Sequence, residues 1–306
     1  MQVKTMRRRI DQLGENPALD RFVMPLRQAV HAALRDQRVK DALHGVWLGH
    51  PLHPALSDLP IGMWTSASLL DLTGTNPRTA TAFVGVGIAA AVPTAAAGLA
   101  DWSELHTDQQ RVGVVHAAAN SAALILYTAS LVNRLRGRRG RGRFFGLLGY
   151  AAASAGAGLG GHLAFRLAAG PNHAERVPWV APEGWQDVCA LDDLPERRPV
   201  RQQLGDVSVL VVRSGPDVYA LSGDCAHLDG PLYEGELSGW DTEPCVTCPW
   251  HGSTYRLRDG EVVHGPATAP QPAVEVRLKN GRVLLRAPSS ALAAVISEAP
   301  VVEPVH

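Results

Sequence analysis

Cys225-Ala226-His227 and Cys248-Pro249-Trp250-His251 decide what the second half of this 306-residue chain is. They read C-x-H and C-x-x-H, and together they offer two thiolates and two imidazoles. Such a donor set fits a tetrahedral zinc ion, or a [2Fe–2S] centre in which two His replace two Cys. Their distribution separates the two. Zinc fingers group Cys with Cys and His with His, whereas each stretch here carries one of each. Each also runs into a turn, Leu228-Asp229-Gly230-Pro231 after the first and Gly252-Ser253 after the second.

Outward from the two stretches, period-2 alternation marks strands at 207–213, 218–221 and 273–278, and Lys279-Asn280-Gly281-Arg282 is a hairpin turn into a strand at 283–286. Short strands between Gly and Pro turns predict an antiparallel sandwich or barrel with both ligand stretches in loops at one tip. With Gly252-Ser253 and Tyr255 in place, residues 182–288 resemble the Rieske [2Fe–2S] family. The resemblance implies that Cys225 and Cys248 hold one iron and His227 and His251 the other. It also implies that Ser253 and Tyr255 give hydrogen bonds to the cluster, and that Pro266, Pro270 and Pro272 stiffen a third loop over it. An oxidised cluster with two thiolates is formally neutral, where four would leave it dianionic, so the mixed ligand set raises the potential. Gly230 and Trp250 stand where respiratory members of the family carry a disulfide between the loops. In that respect the head is similar to Rieske-type ferredoxins and oxygenase Rieske domains, and an intermediate-to-low potential is expected. Cys189 and Cys245 are expected to be buried thiols without a role, although Cys245-x-x-Cys248 mimics a redox pair.

The formal charge is zero but unevenly spread. Residues 171–306 hold 19 acidic and 11 basic residues, a net −8, which leaves +8 on residues 1–170. The basic residues gather in one loop and the N-terminal region, away from stacking aromatics, so nucleic acid is not an expected partner. Residues 1–49 carry nine Lys or Arg against five acidic residues. Phe22, Val23, Leu26, Val30 and Leu34 predict an amphipathic helix there, lying on a membrane surface or a neighbouring domain. No apolar run with a cleavage site follows the first arginines, so a secretory signal peptide is not expected.

Four apolar stretches of spanning length follow, at 55–73, 79–100, 112–133 and 144–166. The first is interrupted by Asp58, Pro60 and Asp71 and the fourth is rich in Gly. His50-Pro51-Leu52-His53-Pro54, running into Leu59-Pro60-Ile61-Gly62-Met63-Trp64 and Asp71, resembles a family of small four-helix bacterial membrane domains of unknown function over residues 48–170. The expected architecture is therefore multi-domain: an all-α four-helix transmembrane domain followed by an all-β Rieske-type head. Its divisions are a basic region at 1–49, the membrane domain at 50–170, a linker at 171–181, the head at 182–288 and a tail at 289–306. Small residues at Ser154 and Gly158, in register with His162, and at Thr94 and Gly98 predict close helix approach.

Span parity puts His50, His53, Asp58, Asp101, His106, His116 and His162 at the membrane end that bears the head. Six arginines at 134–143 lie at the other end. By the positive-inside rule these arginines stay in the cytoplasm, which favours a head outside a bacterial plasma membrane, while the missing disulfide points the other way, to a cytoplasmic head. His116 and His162, with His53 nearby, are candidates for haem b ligation or a quinone pocket. The expected function is a membrane-anchored carrier of single electrons between a membrane or protein donor and a redox protein acceptor, in contact with lipid. It is a component of an oxidoreductase system rather than a complete catalyst, because no two-His, one-carboxylate iron site follows residue 288. One alternative is a self-contained oxidoreductase linked to haem or quinone. Another is a zinc-stabilised binding module on a membrane anchor.

Overall fold

The computed structural model describes residues 2–288; the tail expected at 289–306 lies outside the described residues. The chain divides between Pro171 and Asn172 into two compact units.

In the first unit, α4 (Leu52–Thr73), α5 (Pro77–Ser103), α6 (Thr107–Leu135) and α7 (Arg139–Phe165) correspond to the four apolar stretches. Pro77 starts α5 at a position that needs no amide donor, and Gly74, at φ 73°, ends α4 in the left-handed region that favours glycine. Helix α4 packs on α5, α5 on α6, α6 on α7 and α7 back on α4, so α4 and α6 face each other diagonally. Two of these helices, α5 and α6, are long and apolar enough to cross a membrane.

Bare glycine backbone lets aromatic and polar rings lie flat between the helices. A Cβ on Gly87 would meet the Trp64 indole at 2.3 Å, and one on Gly156 would meet Asn120 at 2.6 Å. The small-residue face expected on α7 is therefore displaced. Ser154 and Gly158 are exposed, and nothing approaches Gly158, whereas Gly149, Gly156 and Gly160 make the close contacts. Ser154 and Gly158 fall on the other side of the helix from the partner that α7 meets.

Asp71, which interrupts the first apolar stretch, is buried against Arg134 in a two-pronged pair, with Arg143 at 3.8 Å. Arg134 also donates to Ser130 Oγ at 3.0 Å, and Ser130 donates to the Gly142 carbonyl at 2.6 Å. An uncompensated charge there would be costly, and the pairing removes that cost. Ahead of the bundle, α1 (Gln2–Gly14), α2 (Asp20–Ala33) and α3 (Gln37–His44) pack on α5 and α6. The predicted amphipathic segment is α2, which buries Val23 and Val30 and leaves Phe22 half exposed. Asp20 receives the Arg111 guanidinium at 2.7 Å.

The second unit opens with a short helix, α8 (Val177–Val180), and its three sheets are antiparallel. One sheet runs β1 (Gln186–Ala190), β10 (Arg282–Arg286), β9 (Glu275–Lys279). The second runs β2 (Pro199–Leu204), β3 (Val207–Ser214), β4 (Asp217–Ser222). The third runs β5 (Glu236–Ser238), β6 (Cys245–Thr247), β7 (Thr254–Arg256), β8 (Val262–His264). Asn280 and Gly281, both at positive φ, make the predicted two-residue hairpin turn between β9 and β10. Strand β3 separates two cores. Leu210 and Val212 face Leu221, Cys225, Val246 and Tyr255, while Val209 and Val211 face Val283 and Leu285. Burial on both faces explains its nearly unbroken valine and leucine run.

Candidate metal centre

Two loops build the site. The first joins β4 to β5 and closes on itself: the Cys225 amide donates to the Gly230 carbonyl at 2.8 Å and the Asp229 amide to the Cys225 carbonyl at 2.9 Å. Asp229 takes φ 57° to make that turn, a conformation Asp tolerates better than most residues. The second joins β6 to β7, with the Cys248 amide on the Ser253 carbonyl at 2.8 Å and the Gly252 amide on the Cys248 carbonyl at 3.1 Å. Gly252, at φ 78°, is the residue this tight return needs.

The loops press together at Gly230. A Cβ there would stand 2.6 Å from Cys248 Sγ and 3.3 Å from the Trp250 ring. Gly230 and Trp250, the two positions matched to the missing disulfide, are thus neighbours across the loops. Cys225 and Cys248 are both buried, and the His227 and His251 rings lie 5.1 Å apart between centroids, nearly perpendicular. Among the described residues no three His, Cys, Asp or Glu side chains converge on one ion position. The donors come as a Cys pair and a His pair. That arrangement suits two metal ions with different ligands.

The thiols interact strongly. Their shared hydrogen bond, helped by the Trp250 and His251 amides, brings Cys248 down to about 7, while the same bond and burial push Cys225 well up. The Tyr255 hydroxyl lies 3.2 Å from Cys225 Sγ, and its pKa is pushed well up by burial and by that thiol. Tyr255 therefore stays protonated and can donate to a thiolate. Ser253 Oγ accepts the Ala267 amide at 3.0 Å, which leaves its own proton to give.

Two residues outside the motif complete the loop. Gln271 is fully buried; its Oε1 accepts the Ala226 amide at 2.9 Å, and its Nε2 donates to the Ser222 and Asp224 carbonyls at 2.8 and 2.6 Å. On the other side of the loop, the His173 amide donates to the Ala226 carbonyl at 2.9 Å and its Nδ1 bonds Asp229 at 2.9 Å. Ala226, between the two ligand positions, thus has both peptide groups held from outside the loop. The only sequence signal for either residue is position: Gln271 lies within the Pro-rich loop, and His173 within the segment expected as a linker. That segment packs on the head through Ala174 and Val177. Cys189 and Cys245 are buried free thiols with pKa values raised by burial, and Cys245 donates to the Glu243 carbonyl at 3.2 Å.

Of the helical-unit candidates, His53 and His116 come together, with ring centroids 6.3 Å apart. His162 lies instead against Asp11, 3.6 Å away, which also receives Arg166.

Comparison with known proteins matches these two units to two families. Residues 184–280 match the Rieske [2Fe-2S] domain and residues 49–172 the predicted membrane protein family DUF2231. The chain is 29% identical over 117 residues to apoptosis-inducing factor 3 of Mus musculus, covering 38% of this chain and 19% of that protein. It therefore spans about a fifth or less of the first curated relatives it matches. It is 32% identical over 100 residues to ferredoxin CarAc of Metapseudomonas resinovorans, covering 32% of this chain and 90% of the ferredoxin. Among solved structures, the ferredoxin of carbazole 1,9a-dioxygenase from Nocardioides aromaticivorans IC177 is 27% identical, with TM-score 0.32, over 35% of this chain and all of that one. The chain belongs to the Rieske [2Fe–2S] family through residues 184–280, joined to a domain that matches the predicted membrane protein family DUF2231 at residues 49–172.

Proposed function

We propose that the chain is a membrane-anchored Rieske protein that passes single electrons between a membrane or protein donor and a redox protein acceptor. In this reading Cys225 and Cys248 bind one iron and His227 and His251 the other. The observation that carries it is the pairing of buried Cys with Cys and of His ring with His ring at one tip. When bound, the cluster supplies a one-electron couple. The chain's own groups hold and tune it. The Tyr255 hydroxyl, 3.2 Å from Cys225 Sγ, withdraws electron density from that thiolate and favours the reduced state. Gln271 and His173 fix the peptide between the two ligands of the first loop, which limits rearrangement as charge changes. Trp250, half exposed beside the His251 ring, offers an apolar contact at the tip. The head, residues 182–288, carries 16 acidic and 10 basic residues, and this net −6 calls for a partner with a basic docking face.

Anchoring rests on α5 and α6, each long and apolar enough to span. Helices α4 and α7 complete a multi-pass bundle in a bacterial plasma membrane, with the arginines of 134–143 inside and the head outside. Electron paramagnetic resonance during a redox titration of the purified full chain tests the assignment. The expected result is one unpaired electron per two irons on reduction, at a potential below that of disulfide-bearing Rieske proteins. A silent spectrum with zinc in the metal analysis would instead establish a zinc-stabilised binding module.

A further inference from the structure

We propose that His53 and His116 form a second metal-binding site, independent of the iron–sulfur head. It would take a redox-active transition-metal centre that needs two imidazole nitrogens: the iron of a haem, or a copper ion. His53 lies on α4 and His116 on α6, the diagonal pair of the four-helix unit, and their rings meet with centroids 6.3 Å apart. Each ring is anchored by one of the two remaining helices. His53 Nδ1 is 2.9 Å from the Thr94 carbonyl on α5, and His116 Nδ1 is 2.8 Å from the Gly156 carbonyl on α7.

A carbonyl oxygen only accepts, so each Nδ1 carries a proton, and the neutral form of each ring has its lone pair on Nε2. Metal-binding imidazoles are commonly oriented in this way, by a second hydrogen bond on the far nitrogen. Asn120 does not block the His116 lone pair. Its Nδ2 is 3.1 Å from Nε2 and 3.5 Å from Nδ1. A donor lying in the ring plane on the lone pair would stand roughly 5 Å from Nδ1, so the amide sits over the ring face. An imidazole nitrogen holds a first-row metal at about 2.0–2.1 Å, so two rings on one ion have centroids roughly 5 to 6.5 Å apart; the observed spacing falls in that window.

The donor count narrows the occupant. Among the described residues no third His, Cys, Asp or Glu joins the pair. Zinc sites use three or four protein ligands, which excludes zinc as the natural occupant. A six-coordinate haem iron can take two axial imidazoles, and a copper(I) ion accepts two donors. Paired imidazoles on facing helices are also a common way to build a cofactor site into a bundle. The glycines fit this use. A Cβ on Gly98 would stand 2.7 Å from His53 Nδ1, and one on Gly160 would stand 3.1 Å from His116 Cε1, so bare backbone is what admits both rings.

The test uses the full chain purified in detergent, titrated separately with hemin and with copper(I), then washed by gel filtration. Soret absorption with a pyridine haemochrome assay counts haem, and elemental analysis counts copper. The expected result is one equivalent per chain of one of the two, reduced at least tenfold in H53A and in H116A and retained in H50A and H162A. Gly98→Ala, which crowds the ring but keeps both imidazoles, should weaken binding in the same direction if either alanine variant fails to fold. Retention of neither probe by the wild-type chain overturns the proposal, as does equal retention by folded H53A or H116A.

Discussion

Replacing Gln271 by Leu removes three hydrogen bonds from the first ligand loop while roughly keeping side-chain volume. The Ala226 amide and the Ser222 and Asp224 carbonyls lose their Gln271 partner in a fully buried position. A buried polar group left without a partner costs about 1–3 kcal/mol. Some relaxation of the loop is allowed for by taking about 1 kcal/mol each, so the loop opens about 3 kcal/mol more easily. Where opening precedes loss of the cluster, each 1.36 kcal/mol is about tenfold, so loss should run roughly a hundredfold faster. The assay is bleaching of visible absorption in excess chelator, followed as a first-order decay in the full chain. The far-ultraviolet spectrum should be unchanged, because Gln271 lies outside the strands. Bleaching within about threefold of wild type would show that metal ligation alone holds the loop, and would refute the role given to Gln271.

Tyr255→Phe deletes the hydroxyl 3.2 Å from Cys225 Sγ; a bond to a charged group worth about 1–1.5 kcal/mol more in the reduced state lowers the midpoint by roughly 50 mV, read by redox titration. Cys225→Ser and His251→Ala should each abolish the paramagnetic signal and destabilise the head, since ligation and folding are coupled; a normal spectrum in either contradicts the ligand assignment. Asp71→Asn leaves the buried Arg134 without its counter-charge, so thermal unfolding in detergent should show a loss of about 3–5 kcal/mol. Removing both charges, as Asp71→Asn with Arg134→Met, should recover much of that loss, and an unaltered transition in the single variant would mean that the pair carries no burden.

Much of this protein was legible in its sequence because the signals are local. The four apolar stretches became α4 to α7 because hydrophobic length alone dictates a long helix. The Asn280-Gly281 turn and the strands beside it followed from positive-φ chemistry and alternation. The proposed ligand residues stood out because one Cys and one His in each of two turns is a rare arrangement. What only the tertiary structure decided are relations between residues far apart in the chain. Gln271 and His173 carry no local pattern, yet they clamp Ala226 from 45 and 53 positions away. Asp71 and Arg134 each look out of place in an apolar helix until the fold sets them side by side. The histidine partner of His116 was settled by how the helices pack, with His53 brought diagonally across the bundle and His162 turned toward Asp11. Periodicity names the face of a helix, whereas the depth and rotation at which two helices meet depend on every side chain between them, and here above all on the glycines that let rings lie against bare backbone.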